Sequence, residues 1–367
     1  MLNLLRFIPR LLFPQGYPAQ FVFFITSKCN LRCQHCFYHE RLNNSDRELS
    51  LLEIDRISRR IKYLLWLSLT GGEPFLRDDI VEIVRLFYRN TGFYLLTITT
   101  NGMLTENIVQ SVHDICVASP KSRVLISVSI DGLEDTHDLL RNAKGSFRKA
   151  VATVVELKKL RNKCHNLNVS TVTTINSINQ KEMKSLALFI KDDLRPDSMS
   201  INLIRGAVGD RMTHGVKLEH YLDFINIERI GWQSGDFAYY DIFAKNIIQK
   251  RELRQKEIIT RLLREKRCVV PCLAGHISGV LRENGDVYAC EMLDKKIGNI
   301  REGNYDFSKI WFSRKANEIR SYIKDTKCFC TYECAITSNI LFNVKELINL
   351  NRCRLQANLM HDITPDL

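Results

Sequence analysis

The chain has 367 residues, 45% hydrophobic and 26% charged, a composition that excludes a disordered or fibrous protein and is long enough for two structural units. Fifty-three Lys and Arg against 41 Asp and Glu leave a formal net charge of +12. These basic residues are scattered rather than blocked together, so the expectation is a solvated basic surface and no nucleic-acid binding.

Residues 1–19 read as an N-terminal arm. Arg6, Pro9 and Arg10 interrupt its apolar run before a signal-peptide core can form, which predicts a cytoplasmic protein. Residues 2–13 are expected to pack on the fold rather than lie on a membrane surface. No run approaches the roughly 20 apolar residues that span a bilayer. The β-forming run 21–26 predicts a buried strand. Ser50 and Glu53 then give a capping-box signal ahead of the helix-spaced Ile54, Ile57, Ile61 and Leu64. Further strands are expected at 64–69, 93–99, 124–130, 167–175 and 199–204. Helices are expected between them near 78–88, 107–117, 147–160 and 181–190. Strands alternating with helices imply an α/β fold with a parallel sheet, here a partial (βα)6 TIM-like barrel over residues 20–210. Residues 211–267 read as a helical connector. Residues 268–367 form a small cysteine-rich domain with a hairpin at Asn284-Gly285, organised by metal rather than by a large core.

Twelve cysteines in a long chain, three of them within eight residues, point to metal rather than to disulfides. Cys29, Cys33 and Cys36 supply three thiolates, one fewer than a cubane cluster needs, which leaves one iron open to a substrate. A structural zinc site is the alternative, although zinc usually pairs such cysteines with a distant second pair.

This spacing resembles the radical S-adenosylmethionine (SAM) superfamily, whose cluster loop has the pattern CxxxCxxC at the end of the first barrel strand. The resemblance implies a [4Fe-4S] cluster whose open iron chelates SAM. Reductive cleavage of SAM would then yield a 5′-deoxyadenosyl radical that abstracts hydrogen from substrate. Gly71-Gly72-Glu73-Pro74 resembles the segment that grips the SAM ammonium, where glycines allow close approach and a carboxylate pairs with the amine. By the same resemblance His35 contacts adenine, and Ser129 and Arg141 hold the ribose or carboxylate of SAM. Thr100, Asn101, Gly102, Asp131, Thr174 and Asn176 lie at strand ends facing the same cavity.

Cys272-x12-Gly285-x4-Cys290 resembles the opening of the SPASM domain, which binds auxiliary iron-sulfur clusters. Cys268, Cys330, Cys334 and Cys353 extend the pattern, and Cys328 departs from it by preceding Cys330 too closely. The resemblance implies one auxiliary cluster on Cys268, Cys272, Cys290 and Cys334. Cys328, Cys330 and Cys353 would hold a second, completed by a carboxylate such as Asp325 or Glu333. A single-cluster domain, or a zinc site on Cys328, Cys330 and Cys334, is the alternative. Glu291 matches the position of a carboxylate proposed as a base in sulfatase-maturing relatives. Cys116 and Cys164 stand apart from both groups and read as buried inert thiols.

The function implied is a radical SAM oxidoreductase of the maturase type acting on a peptide or protein. The same chemistry on a sugar, cyclitol or lipid precursor is the second reading. A non-catalytic iron-sulfur or zinc scaffold is a third, and Gly71-Gly72-Glu73 argues against it. A flavodoxin- or ferredoxin-type electron donor is expected. Because only 28 residues precede Cys29, so is a separate leader-recognition protein.

Overall fold

The computed structural model describes residues 16–44, 47–206, 208, 215–234 and 242–352. The first 15 residues of the arm and Cys353 lie outside the described residues. Six strands alternate with helices: β1 (Gln20–Thr26), β2 (Trp66–Gly71), β3 (Leu95–Thr100), β4 (Arg123–Ser129), β5 (Leu167–Ile175) and β6 (Ser198–Leu203). Between them run α1 (Leu51–Arg60), α2 (Ile80–Thr91), α3 (Thr105–Ala118), α4 (Glu134–Arg141), α5 (Ser146–Leu160) and α6 (Met183–Leu188). The capping box forms as expected: the Ser50 hydroxyl accepts from the Glu53 amide, and the Glu53 side chain accepts from the Ser50 amide. Two departures from the sequence reading are local. Only eight residues long and richly charged, α4 has Leu139 and Leu140 as its only apolar residues, too few to show a repeat. The sixth helix gives way after six residues to a wide π turn, Phe189–Leu194.

The strand order is β6-β5-β4-β3-β2-β1, every neighbouring pair parallel. An order that never reverses, joined by right-handed crossovers, puts every helix on one face, and such a sheet curls into a partial barrel instead of a doubly wound layer. Along β1 the side chains divide accordingly. Phe21, Phe23 and Ile25 join the main core with Ile54, Ile57 and Phe87, while Val22 and Phe24 belong to a separate inner-face cluster. The β6 edge is capped by side chains: Lys256 Nζ donates to the Ile201 carbonyl (3.1 Å), and Glu333 accepts from the Leu203 amide (3.0 Å).

The cysteine-rich region extends this sheet. β7 (Ser278–Leu281) pairs parallel with β1, and β8 (Asp286–Tyr288) and β9 (Lys296–Asn299) follow antiparallel. The connector forms two helices, α7 (Leu218–Ser234) and α8 (Ile242–Glu265), and α9 (Phe307–Trp311), α10 (Arg314–Asp325), α11 (Glu333–Leu341) and α12 (Val344–Arg352) complete the chain as described. Contrary to the expectation of a unit lacking a large core, Phe307, Trp311, Ile319, Ile336 and Ile340 pack in the same core as the barrel. The Phe21 and Phe307 rings meet edge to face at 5.4 Å. A polar clamp reinforces the join, since Arg301 Nε (2.8 Å) and the Tyr305 hydroxyl (3.1 Å) both donate to Glu53. Among the described residues, no helix is long and apolar enough to cross a membrane.

Candidate active site

The loop after β1 carries Cys29, Cys33 and Cys36, all free thiols. Its ends are fixed by the chain. Glu48 accepts from the Thr26 hydroxyl (2.7 Å) and the Ser27 amide (3.0 Å), and Asn43 Oδ1 accepts from the Cys29 amide (2.9 Å). Burial pushes the Cys29 and Cys36 thiols up to about 11, so ligating iron there must displace protons.

The loop after β2 lies directly against this one. The Gly72 amide donates to the Thr26 carbonyl (2.9 Å) and the Glu73 amide to the Lys28 carbonyl (2.8 Å). A Cβ on Gly71, whose φ is +138°, would stand 2.2 Å from the Thr26 oxygen, and one on Gly72 would stand 2.1 Å from the Lys28 oxygen. Both glycines are therefore required by the closeness of the two loops. Glu73 is buried and tied inward: Oε1 accepts from the Thr100 hydroxyl (2.8 Å) and the Phe75 amide (3.2 Å), and Oε2 from the Asn101 amide (2.7 Å). Burial raises its carboxyl to about 7 against the pull of these bonds. Glu73 thus joins the ends of β2 and β3, while Asn101 Nδ2 reaches on to Asn30 in the cysteine loop (2.8 Å). In a Glu73→Gln protein the amide nitrogen must face at least one backbone donor. A destabilisation of about 1–3 kcal/mol, read from the urea midpoint, and weaker SAM binding by titration calorimetry are expected.

At the end of β4, Asp131 is fully buried. Its Oδ2 lies 2.5 Å from Arg141 Nη2 and 3.2 Å from His35 Nε2, and its Oδ1 accepts from the Thr174 amide (2.7 Å). Burial works to raise this carboxyl, but Arg141 and His35 outweigh it and hold it well below the ordinary range. The Asp131 amide donates to His137 Nδ1 (3.1 Å), and burial lowers His137 to about 4, so that imidazole is neutral. Arg141 Nη1 donates to Cys33 Sγ at 3.7 Å. This network carries a charged arm from the β4 end into the cysteine loop. His35 Nδ1 and Arg141 Nε remain buried without a hydrogen-bond partner. Ser129 closes β4 beside them, and Asn176 is occupied in its own turn, accepting from the Ile178 amide (2.9 Å).

In the second group, β8 runs back along β7 with Tyr288 opposite Val280, which brings Cys290 level with the start of β7, close to Cys272. Burial raises the Cys272 thiol to about 12, with further contributions from Cys328, Cys330 and Cys268; that of Cys290 also rises to about 12, with Cys272 and Cys330 as neighbours. Five cysteines thus share one region. The principal charged neighbours of Cys334 are Glu291, Arg205 and Glu333. Cys330 shares Arg205 and Glu333 with it as charged neighbours. Glu333 is not a spare carboxylate, because Oε1 caps β6 and Oε2 pairs with Arg205 Nη1 at 2.5 Å. Glu291 accepts from the Tyr332 hydroxyl, and burial pushes its carboxyl up against Arg205, Tyr332 and Arg282.

The donor set fits iron-sulfur clusters. Among the described residues no three His, Cys, Asp or Glu side chains converge on a single-ion position. Four ligands on one zinc at about 2.3 Å would stand roughly 3.8 Å apart, and thiolates around a cubane stand wider. The unpartnered His35 and Arg141 atoms beside the first loop leave donors and acceptors for a bound SAM.

A sequence model of the Radical SAM superfamily matches residues 23–190, and one for the iron-sulfur cluster-binding domain SPASM matches residues 272–335. The chain belongs to the radical SAM superfamily and carries a C-terminal SPASM domain. It is an enzyme of that class, with [4Fe-4S] clusters and SAM as cofactors. It is similar to the antilisterial bacteriocin subtilosin biosynthesis protein AlbA of Bacillus subtilis (strain 168), 24% identical over 86% of this chain and 66% of that protein, just under two thirds of its length. It is also similar to a cysteine-type anaerobic sulfatase-maturating enzyme of Clostridium novyi (strain NT), 26% identical over 83% of this chain and 82% of that one. The crystal structure of Streptococcus suis SuiB bound to precursor peptide SuiA shares the fold, with a TM-score of 0.56 and 18% identity over 87% of this chain and 71% of that one.

Several residues of the site escape sequence reasoning. Tyr38, two residues past Cys36, donates its hydroxyl to Glu283 (2.6 Å), and Arg282 stacks 4.4 Å from the Tyr288 ring centroid and 5.8 Å from that of Tyr38. Only the pairing of β7 with β1 brings these residues together, and no local pattern announces it.

Proposed function

We propose that this enzyme modifies a peptide or protein substrate on the inner face between its two cysteine groups. The observation that carries the reading is the small inner cluster of Val22, Phe24, Tyr38, Val280 and Tyr288, against which Cys36 and Phe37 pack. It joins the SAM-side loop to a strand that ends two residues before Cys290. The relatives support the substrate class, since their names describe bacteriocin biosynthesis, sulfatase maturation and a bound precursor peptide.

When bound, the cluster and SAM supply hydrogen abstraction from an unactivated position. The chain's own residues do the rest. Cys29, Cys33 and Cys36 would hold the cluster, and Gly71 and Gly72 let the second loop lie against the loop that carries these cysteines. Glu73 fixes the second loop, and Asp131 holds Arg141 and His35, which would contact SAM. Cys268, Cys272, Cys290, Cys328, Cys330, Cys334 and Cys353 would hold auxiliary iron. Glu291, with its raised carboxyl beside Cys290, accepts a proton from the substrate. A flavodoxin- or ferredoxin-type protein supplies the electron, and a separate protein recognises the leader of the precursor.

The test is anaerobic. Reconstituted enzyme with SAM and dithionite is given the peptide fraction or the small-molecule fraction of a lysate, and 5′-deoxyadenosine is measured above the uncoupled background. Stimulation by the peptide fraction that protease treatment destroys is the expected result. Stimulation only by the small-molecule fraction would replace this reading with the metabolite one.

A further inference from the structure

Cys116 and Cys164, separated by 48 positions in sequence and apart from both cluster groups, are neighbours in the fold. Cys116 sits in the last full turn of α3, and Cys164 lies in the turn between α5 and β5. Both line a cleft of about 640 Å³ at the end of the sheet where β3, β4 and β5 begin, opposite the loops that carry the SAM-side cysteines. We propose that this pair is a redox-active dithiol that takes an anionic low-molecular-weight disulfide into the cleft and closes to a protein disulfide.

Three observations support it. The cleft is within the size range that holds small molecules. Its lining includes Lys121, Arg123, Lys163 and His165 and no acidic side chain, so it favours an anion. The turn is fastened to the helix end, because Asn166 Nδ2 donates to the carbonyls of Cys116 (3.3 Å) and Ser119 (3.1 Å), which holds the two cysteines together. The sulfurs also differ in kind. Burial raises both thiols; Cys164 pushes that of Cys116 up further, whereas at Cys164 the rise is partly offset by Cys116 and Lys163, which leaves Cys164 the more readily ionised of the two. Cys164 is therefore the attacking thiol and Cys116 the resolving one.

The step balances. The Cys164 thiolate attacks one sulfur of glutathione disulfide, forming a mixed disulfide and releasing one glutathione thiolate. Cys116 then displaces the second glutathione. Two electrons and two protons leave the pair, and two glutathione thiols form. The crosslink ties α3 to the entrance of β5 across β4, and no other cysteine lines the cleft.

The holoenzyme is treated anaerobically with glutathione disulfide or with the cationic disulfide cystamine, quenched with a maleimide and mapped by tryptic mass spectrometry. A peptide linking Cys116 to Cys164 is expected. It should form about tenfold faster with glutathione disulfide than with cystamine, and the melting temperature should rise by roughly 5 °C. Cys116→Ser should accumulate a glutathione adduct on Cys164, and Cys164→Ser should show neither product. Full maleimide labelling of both cysteines in the treated wild type, a lasting adduct without the crosslink, or equal rates with the two disulfides would overturn the proposal.

Discussion

Replacing Gly72 with alanine is expected to abolish SAM cleavage. The new methyl group would stand 2.1 Å from the Lys28 oxygen, 2.5 Å from the Lys28 carbonyl carbon and 2.8 Å from the Ser27 oxygen. All three are backbone atoms at the root of the cysteine loop, so no side chain can swing aside. The loops must part, breaking the bonds from the Gly72 amide to Thr26 and from the Glu73 amide to Lys28. Overpacking of this kind costs about 3 kcal/mol or more, and displacement of a cluster ligand adds to it. Turnover to 5′-deoxyadenosine should fall by about a hundredfold or more, with iron content reduced. Gly92→Ala is the matched control. That residue has φ +57° as the cap of α2, and a Cβ there meets nothing within 4 Å. It should cost only about 1–2 kcal/mol of stability and leave SAM cleavage intact.

Asp131→Asn is expected to destabilise the fold by about 3–5 kcal/mol, because it leaves the buried Arg141 cation without its partner. The amide can keep the bond from the Thr174 amide, but its nitrogen then faces Arg141 and His35. Arg141 should also lose its aim at Cys33. The sign of the pH dependence follows from the depressed carboxyl of Asp131. Such a group stabilises the fold above its unfolded pKa of about 3.9 and loses that contribution as pH falls toward the folded value. Urea midpoints of wild type and variant should therefore differ most at neutral pH and begin to converge below about pH 4. A constant difference down to pH 3 would mean that Asp131 acts by shape rather than by charge.

Much of this site was legible before any coordinates. The spacing of Cys29, Cys33 and Cys36, the two glycines and Glu73, and the Cys272 to Cys290 pattern are local in sequence, and the loops that carry them follow short, strongly patterned strands. Ser50 and Glu53 announced α1 for the same reason, since a capping box is completed within four residues. What stayed hidden depends on contacts between distant segments. The pairing of β7 with β1 is set by two apolar strands that carry no mutual signature, and it makes the cysteine-rich region an extension of the barrel sheet. Glu333 read as a spare metal ligand because its partners, Leu203 and Arg205, lie about 130 residues away. Cys116 and Cys164 read as inert because each is apolar in context, and only the meeting of α3 with the α5–β5 turn makes them a pair.

The account rests most directly on the three-cysteine loop. The decisive measurement is iron content together with 5′-deoxyadenosine formation after anaerobic reconstitution with iron and sulfide, in wild type and in a Cys29→Ala, Cys33→Ala, Cys36→Ala triple variant. The account predicts that the variant loses about four irons and all SAM cleavage while keeping its auxiliary iron. Equal iron in both proteins, or deoxyadenosine still formed by the variant, would contradict it.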